Sequence, residues 1–165
     1  RGYMLKDYQG KVDNFFRWIK GTELVELHDI DVTEDPVRPN LDLNFRTTYG
    51  RKIYGLKYED TIEGIVCVAF TNEVPVTEKE LELMSKTAEL ENNPTIAIAY
   101  TVWSRKRGAG REIIFKLKEY IEKDLLHIKR VVTLSPLTPM ATHFHIKNGA
   151  KLMTINSTTQ NFEYK

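Results

Sequence analysis

Within residues 104–111, S-R-K-R-G-A-G-R, the cations Arg105, Lys106, Arg107 and Arg111 surround Gly108, Ala109 and Gly110. Fixed positive charge neutralises an anion, and glycine lets a bulky anion touch the backbone and permits the positive φ of an amide nest. The uncharged run T-I-A-I-A-Y-T-V-W precedes the knot, and I-I-F-K-L-K-E-Y-I follows it. The knot therefore falls between a strand end and a helix start, where first-turn amides are unpaired and the helix dipole is positive. A diphosphate fits such a place. No Gly-Lys-Ser/Thr follows the glycines, as a nucleotide P-loop requires, and the three spaced glycines of a dinucleotide fingerprint are missing. Charge alone reads as a solvated face or a nucleic-acid contact. The glycines and the strand-to-helix position turn the reading toward a compact anion.

Other reactive side chains are few. His143 and His145 stand two apart, so on a helix they diverge and cannot chelate one metal; neither H-E-x-x-H nor paired cysteines occur, and no metal is expected. Ser135 precedes Pro136, a strand end and turn on its own merits. Cys67, the single cysteine, lies among Val and Ala and reads as a small buried hydrophobe. Trp18 and Trp103 read as packing residues. The acid-rich stretch from Glu23 to Asp42 reads as a solvated loop, with attraction of a cationic amine as its functional alternative.

The elements that must position these groups follow from periodicity. Tyr8, Val12, Phe15, Phe16 and Ile19 have helical spacing ahead of Gly21. Leu24 to Ile30 is an ambiguous first strand, and Asp35 to Asn44, with Pro36 and Pro39, reads as a loop. R-K-I-Y-G-L-K-Y and E-G-I-V-C-V-A-F form a hairpin around E-D-T. Thr77 and Glu80 make a capping box for a helix that buries Leu81, Met84 and Ala88 and ends at Asn92-Asn93-Pro94. Residues 95–103 suit a strand covered on both faces. Ile113, Ile114, Leu117, Tyr120, Ile121 and Leu125 give the next helix its apolar stripe. A short strand over Val131 to Ser135, a helix over Thr138 to Lys147 with Gly149 as its left-handed cap, and strands near 151–156 and 159–164 complete the chain. The class is a mixed α/β layer structure.

Arg105-x-x-Gly108-x-Gly110 after a strand resembles the pyrophosphate loop of the GNAT superfamily of acyl-CoA acyltransferases. The order of elements is similar too, and F-H-I-K-N-G-A, 144–150, matches that family's aromatic-Tyr-x-x-x-Gly signature with His145 at the tyrosine position. The resemblance covers roughly 50–165. It implies a mixed, mostly antiparallel sheet of about seven strands, splayed at the central strand and flanked by about four helices. It also implies acetyl-CoA or another acyl-CoA as co-substrate, held by residues 105–111, with the backbone of Thr101, Val102 and Trp103 along the pantetheine arm. The acyl group would pass directly to an amine, with the strand's free amide polarising the thioester and His145 as general acid. Many members carry a glutamate on the central strand as base; here 95–103 holds no acid, and Glu63 and Glu73 are the nearby candidates. V-T-L-S-P-L with F-H-I-K-N-G-A is also similar to the catalytic part of malonyl-CoA decarboxylases, which implies a Ser135/His145 pair acting on malonyl-CoA.

The bulk numbers agree with one domain over 1–165, less securely over 1–49. With 24 Lys plus Arg against 23 Asp plus Glu, net charge says nothing of partners. A single cysteine suits a reducing, cytoplasmic setting, and no apolar run of membrane-spanning length occurs. Met4 is a candidate start, or the segment comes from a longer chain. The expectation is an N-acyltransferase; a decarboxylase or hydrolase using Ser135 and His145, and a nucleic-acid-binding or -modifying protein using Arg105–Arg111, are the alternatives.

Overall fold

The computed structural model describes residues 21–165, so the helix expected over 7–20 lies outside the described residues. The strands are β1 (Glu23–Leu27), β2 (Lys52–Tyr58), β3 (Thr61–Thr71), β4 (Ile96–Ser104), β5 (Arg130–Thr133), β6 (Ser135–Pro136), β7 (Lys151–Ile155) and β8 (Thr159–Tyr164). They make one eight-stranded sheet in the order β1-β2-β3-β4-β5-β8-β6, with β7 pairing the other part of β8. Among the described residues every pairing is antiparallel except β4 with β5. The extra strand relative to the expected seven is the two-residue β6: the stretch read as one strand to Ser135 breaks at Leu134, and Ser135 pairs with Gln160.

Among the described residues, four α-helices flank the sheet: α1 (Leu43–Thr47), α2 (Glu78–Glu91), α3 (Ala109–Asp124) and α4 (Pro139–Lys147). The hairpin forms as its branched residues dictate, turning at Glu59–Asp60. Thr77 caps α2 by accepting the Glu80 amide at 3.0 Å, while Glu80 reaches one residue further back than a standard box, to the Val76 amide at 3.2 Å. Leu81, Ser85 and Ala88 are the buried positions of α2, and Met84 is half-buried. Ser85 is inside because Arg51 Nη1 meets its hydroxyl at 2.5 Å.

β4 is covered on both faces, as its unbroken apolar run demands. Ala97 and Ala99 pack with Ile113, Ile114, Leu117 and Ile121 of α3. Ile96, Ile98 and Tyr100 pack on the opposite face with Leu81 of α2 and Leu41. The segment expected to be loop over Asp35 to Asn44 ends instead in α1, whose first turn is closed by Asp42 accepting the Phe45 amide at 2.8 Å. No helix among the described residues is long and apolar enough to cross a membrane.

Candidate active site

β4 delivers the basic loop to the start of α3. Gly108 caps α3 with φ +85°, a left-handed conformation that disfavours any side chain. Among the described residues, the amides of Arg107, Gly108, Gly110 and Arg111 make no backbone hydrogen bond, so four donors cluster at the positive end of the helix. The flanking amides are tied down: those of Arg105 and Lys106 both donate to the Glu63 carbonyl, at 2.7 and 3.3 Å.

The loop's cations divide into two kinds. Arg105 donates to Glu34 through Nε and Nη2, each at 2.9 Å, and Lys106 Nζ lies 3.5 Å from Glu63 Oε2. Arg107 and Arg111 form no ion pair among the described residues, although Arg111 sits 5.5 Å from the Phe115 ring. Gly110 differs from its expected role. It is buried, and a Cβ there would come within 3.3 Å of the Phe144 ring, so its small size serves the approach of α3 to α4 while its amide stays available. Glu63, considered as a base, instead clamps the loop by carbonyl and carboxylate. Glu73 lies beyond Thr71, whose partner Ile96 is at the opposite end of β4 from the loop.

The strand split is present in the pairing. β4 and β5 pair from Ile96↔Arg130 to Ala99↔Thr133, and the last rung is the Leu134 amide on the Ala99 carbonyl at 3.1 Å. Beyond it, Thr101, Val102 and Trp103 pair only with β3. The cause is a bulge: Cys67 faces Thr101 while Val68 faces Ala99, so Tyr100 is the additional residue. Sequence reading missed what holds this bulge. Thr101 Oγ1 donates to the buried Asp35 carboxylate at 2.9 Å, and Arg46 Nη1 pairs with Asp35 Oδ2 at 2.8 Å, both side chains being fully buried. Arg46 also donates to the Arg38 and Leu41 carbonyls. Arg38 bridges the diverging strands, Nε to Tyr100 O and Nη2 to Leu134 O, each at 2.8 Å. The stretch expected to be a solvated acidic loop thus supplies Asp35 and Arg38 to the buried frame of the split, and α1 supplies Arg46. The spacing Asp35, Arg38, Arg46 carries no recognised motif, and no local sequence signal marks these residues as buried.

His145 is buried on α4, with its Nδ1 2.7 Å from the Tyr164 hydroxyl and its ring 5.1 Å from that of Phe162. Burial pushes its pKa down from the ordinary 6.5 to about 4, and burial likewise raises the Tyr164 phenol. The imidazole is therefore neutral at pH 7, not poised near neutrality as a free histidine would be. Tyr164, which no sequence pattern marked, is its polar partner. Ser135 is also buried, but its hydroxyl donates to Thr133 Oγ1 at 2.8 Å. No hydrogen bond joins Ser135 to His145 among the described residues. His143, two residues before His145, is exposed. Burial raises the Cys67 thiol to about 12, which keeps it protonated inside the sheet.

The described residues thus form an eight-stranded sheet, split between β4 and β5 and flanked by four α-helices. No family model and no curated protein matches the chain. Solved structures do. A malonyl-CoA decarboxylase from Agrobacterium vitis superposes with a TM-score of 0.75 at 16% identity, over 99% of this chain and 65% of that one. A Bacillus subtilis acetyltransferase in complex with CoA gives 0.57 at 9% identity, over 86% of this chain and 95% of that one. A GNAT family acetyltransferase from Elizabethkingia anophelis with acetyl-CoA bound gives 0.51 at 9%, over 86% and 94%. The fold is GNAT-like. This chain spans less than two thirds of the Agrobacterium vitis decarboxylase and nearly the whole of the two acetyltransferases. Within this GNAT-like frame the amide nest follows the unpaired end of β4, and α4 reaches the nest through Phe144, whose ring lies against Gly110.

Proposed function

We propose that this GNAT-like chain is an acyl-CoA-dependent enzyme that transfers an acetyl or other acyl group to an amine. The observation that carries the reading is the alignment of four free amides at the head of α3 with the unpaired edge of β4 over Thr101–Trp103. The diphosphate lies on the nest with Arg107 and Arg111 beside it, and the pantetheine arm pairs with the free strand edge as a missing β5 would. Neighbours bound to CoA and acetyl-CoA in the same fold support this. The nucleic-acid alternative is weakened by the pairing of Arg105 and Lys106 with Glu34 and Glu63, which leaves a small anion site in place of a broad basic face.

His145 acts near the thioester as a neutral imidazole. The amine sheds a proton as it attacks, and the departing thiolate needs one. An imidazole bonded to the Tyr164 hydroxyl relays a proton between them without holding a lasting charge. This replaces a histidine that stores the proton beforehand, because burial disfavours the charged form.

A second reading rests on the Agrobacterium vitis likeness over 99% of the chain and on burial of both Ser135 and His145. There the bond between the thioester α-carbon and a carboxylate breaks, CO₂ leaves, and the electron pair on the α-carbon takes up a proton. No acceptor is needed. One experiment separates the two readings: acetyl-CoA with a panel of amines assayed for free thiol, beside malonyl-CoA alone assayed for acetyl-CoA and CO₂. Thiol release only with an amine supports transfer, and acetyl-CoA from malonyl-CoA without acceptor supports decarboxylation. Inertness toward both substrates overturns the enzymatic reading.

A further inference from the structure

We infer that Arg38 is the stop that limits acyl length at the apex of the β4–β5 split, so that the site prefers two-carbon acyl groups over longer ones; this rests on the acyl-CoA reading above. The split begins where the Leu134 amide makes its last bond to Ala99. The next carbonyls on either side, Tyr100 O and Leu134 O, are both taken by one guanidinium at 2.8 Å. The side chain therefore spans the gap between strands at the point where an arm entering from the loop end must stop. Four residues of extended strand, from Ser104 back to Tyr100, cover about 13 Å, so the arm runs along β4 and arrives end-on at Arg38.

Arg38 is not free to swing aside. It is 6% exposed, and its own amide is held by Asp35 Oδ1 at 3.0 Å. Its outer nitrogen Nη1 pairs with Glu78 Oε1 at 2.7 Å. Glu78 Oε2 in turn accepts from the Asn40 side-chain nitrogen Nδ2 at 3.0 Å. A guanidinium with its three nitrogens anchored on two carbonyls and a carboxylate is a rigid wall, and a longer acyl chain has to displace it or fold back. Forcing extra methylenes against a packed wall costs about tenfold or more in affinity. An arginine suits this position because its planar fork presents three separate nitrogens, one to each carbonyl and one to Glu78.

The test uses calorimetry on the full chain with free CoA, acetyl-CoA, butyryl-CoA and hexanoyl-CoA. The wild type is expected to prefer acetyl-CoA to hexanoyl-CoA by about tenfold or more. Arg38→Ala, which opens the apex, should reduce that preference to about threefold or less, read as the ratio of acetyl-CoA to hexanoyl-CoA affinity so that any change common to both cancels. Arg38→Met keeps most of the bulk and should retain the larger part of it. Should Arg38→Ala fail to fold, Glu78→Ala, which releases only the outer anchor, is expected to lower the preference partway. A preference that stays the same in every folded variant overturns the assignment, as does a wild type that binds all chain lengths alike. If free CoA itself does not bind, the acyl-CoA reading fails and the stop falls with it.

Discussion

Two sets of arginines sit within a few residues of the end of β4, and they are built in opposite ways. Arg105, Arg107 and Arg111 are exposed, carried by a short loop and only partly paired. Arg38 and Arg46 are buried, and their guanidinium groups are held by carboxylates and main-chain carbonyls. The contrast follows from solvation. A buried charge survives only when carboxylates and carbonyls replace its water, which also fixes its position. An exposed charge keeps its water and can exchange it for an incoming anion. The outer set is thus available for a ligand, while the inner set holds the backbone in the shape that ligand needs.

The sharpest way to break this contrast is to unpair the inner set. Asp35→Ala leaves Arg46, fully buried, without its carboxylate, and Thr101 without its acceptor. Chemical denaturation should show a loss of about 3–5 kcal/mol. Arg107→Ala, in the outer set, should stay within about 0.5 kcal/mol of wild type. Equal stability losses in the two variants would remove the distinction.

Ligand binding probes the outer set next. An acyl-CoA at about a hundred times its Kd should add ~2.7 kcal/mol and raise the melting temperature. Gly108→Val should abolish that gain. The φ of +85° there disfavours a branched side chain, and the amides around it would no longer converge on one anion. An unchanged thermal shift in this variant would place the diphosphate elsewhere.

These variants also mark how much could be read from the chain itself. The outer set was legible because function there is written in adjacent residues: two glycines and four cations between a strand and a helix. The elements were legible because hairpin, capping-box and helix-stripe patterns are local. The inner set was not. Asp35 meets Thr101, and Arg38 meets Tyr100 and Leu134, across long stretches of chain, and nothing local to the proline-containing segment distinguishes a buried arginine from a solvated one. The partnership of His145 with Tyr164 was hidden for the same reason: it depends on α4 packing over β8. Burial then changed the histidine's chemistry as well as its neighbours, which residue type alone could not convey.

That change has its own signature. The unfolded chain protonates His145 near pH 6.5, whereas the native state resists until about pH 4. The unfolded state therefore binds more protons across this window, so the histidine's share of stability is complete above pH 6.5 and is lost as pH falls toward 4. Between pH 7 and pH 5 the loss should be about 2 kcal/mol. His145→Gln should flatten the wild-type slope in denaturation curves over that interval. A slope that survives the substitution would mean that another group titrates and that the imidazole is accessible to water.

The smallest effect divides the outer set within itself. Arg105 is already held by Glu34 through two nitrogens, while Arg107 has no ion partner among the described residues. If an exposed pair contributes little to the fold, its partnered cation also has less to offer a ligand, since binding must compete with the carboxylate. Arg107→Ala should weaken acetyl-CoA binding by about fivefold at low salt, a loss of ~1 kcal/mol, and the difference should shrink as ionic strength rises. Arg105→Ala should cost less than half as much, and Glu34→Gln should strengthen binding slightly by freeing the guanidinium. Calorimetry at two salt concentrations reads all three. If Arg105→Ala proves the more damaging, the ion pair with Glu34 opens on binding, and the loop's two kinds of cation are one.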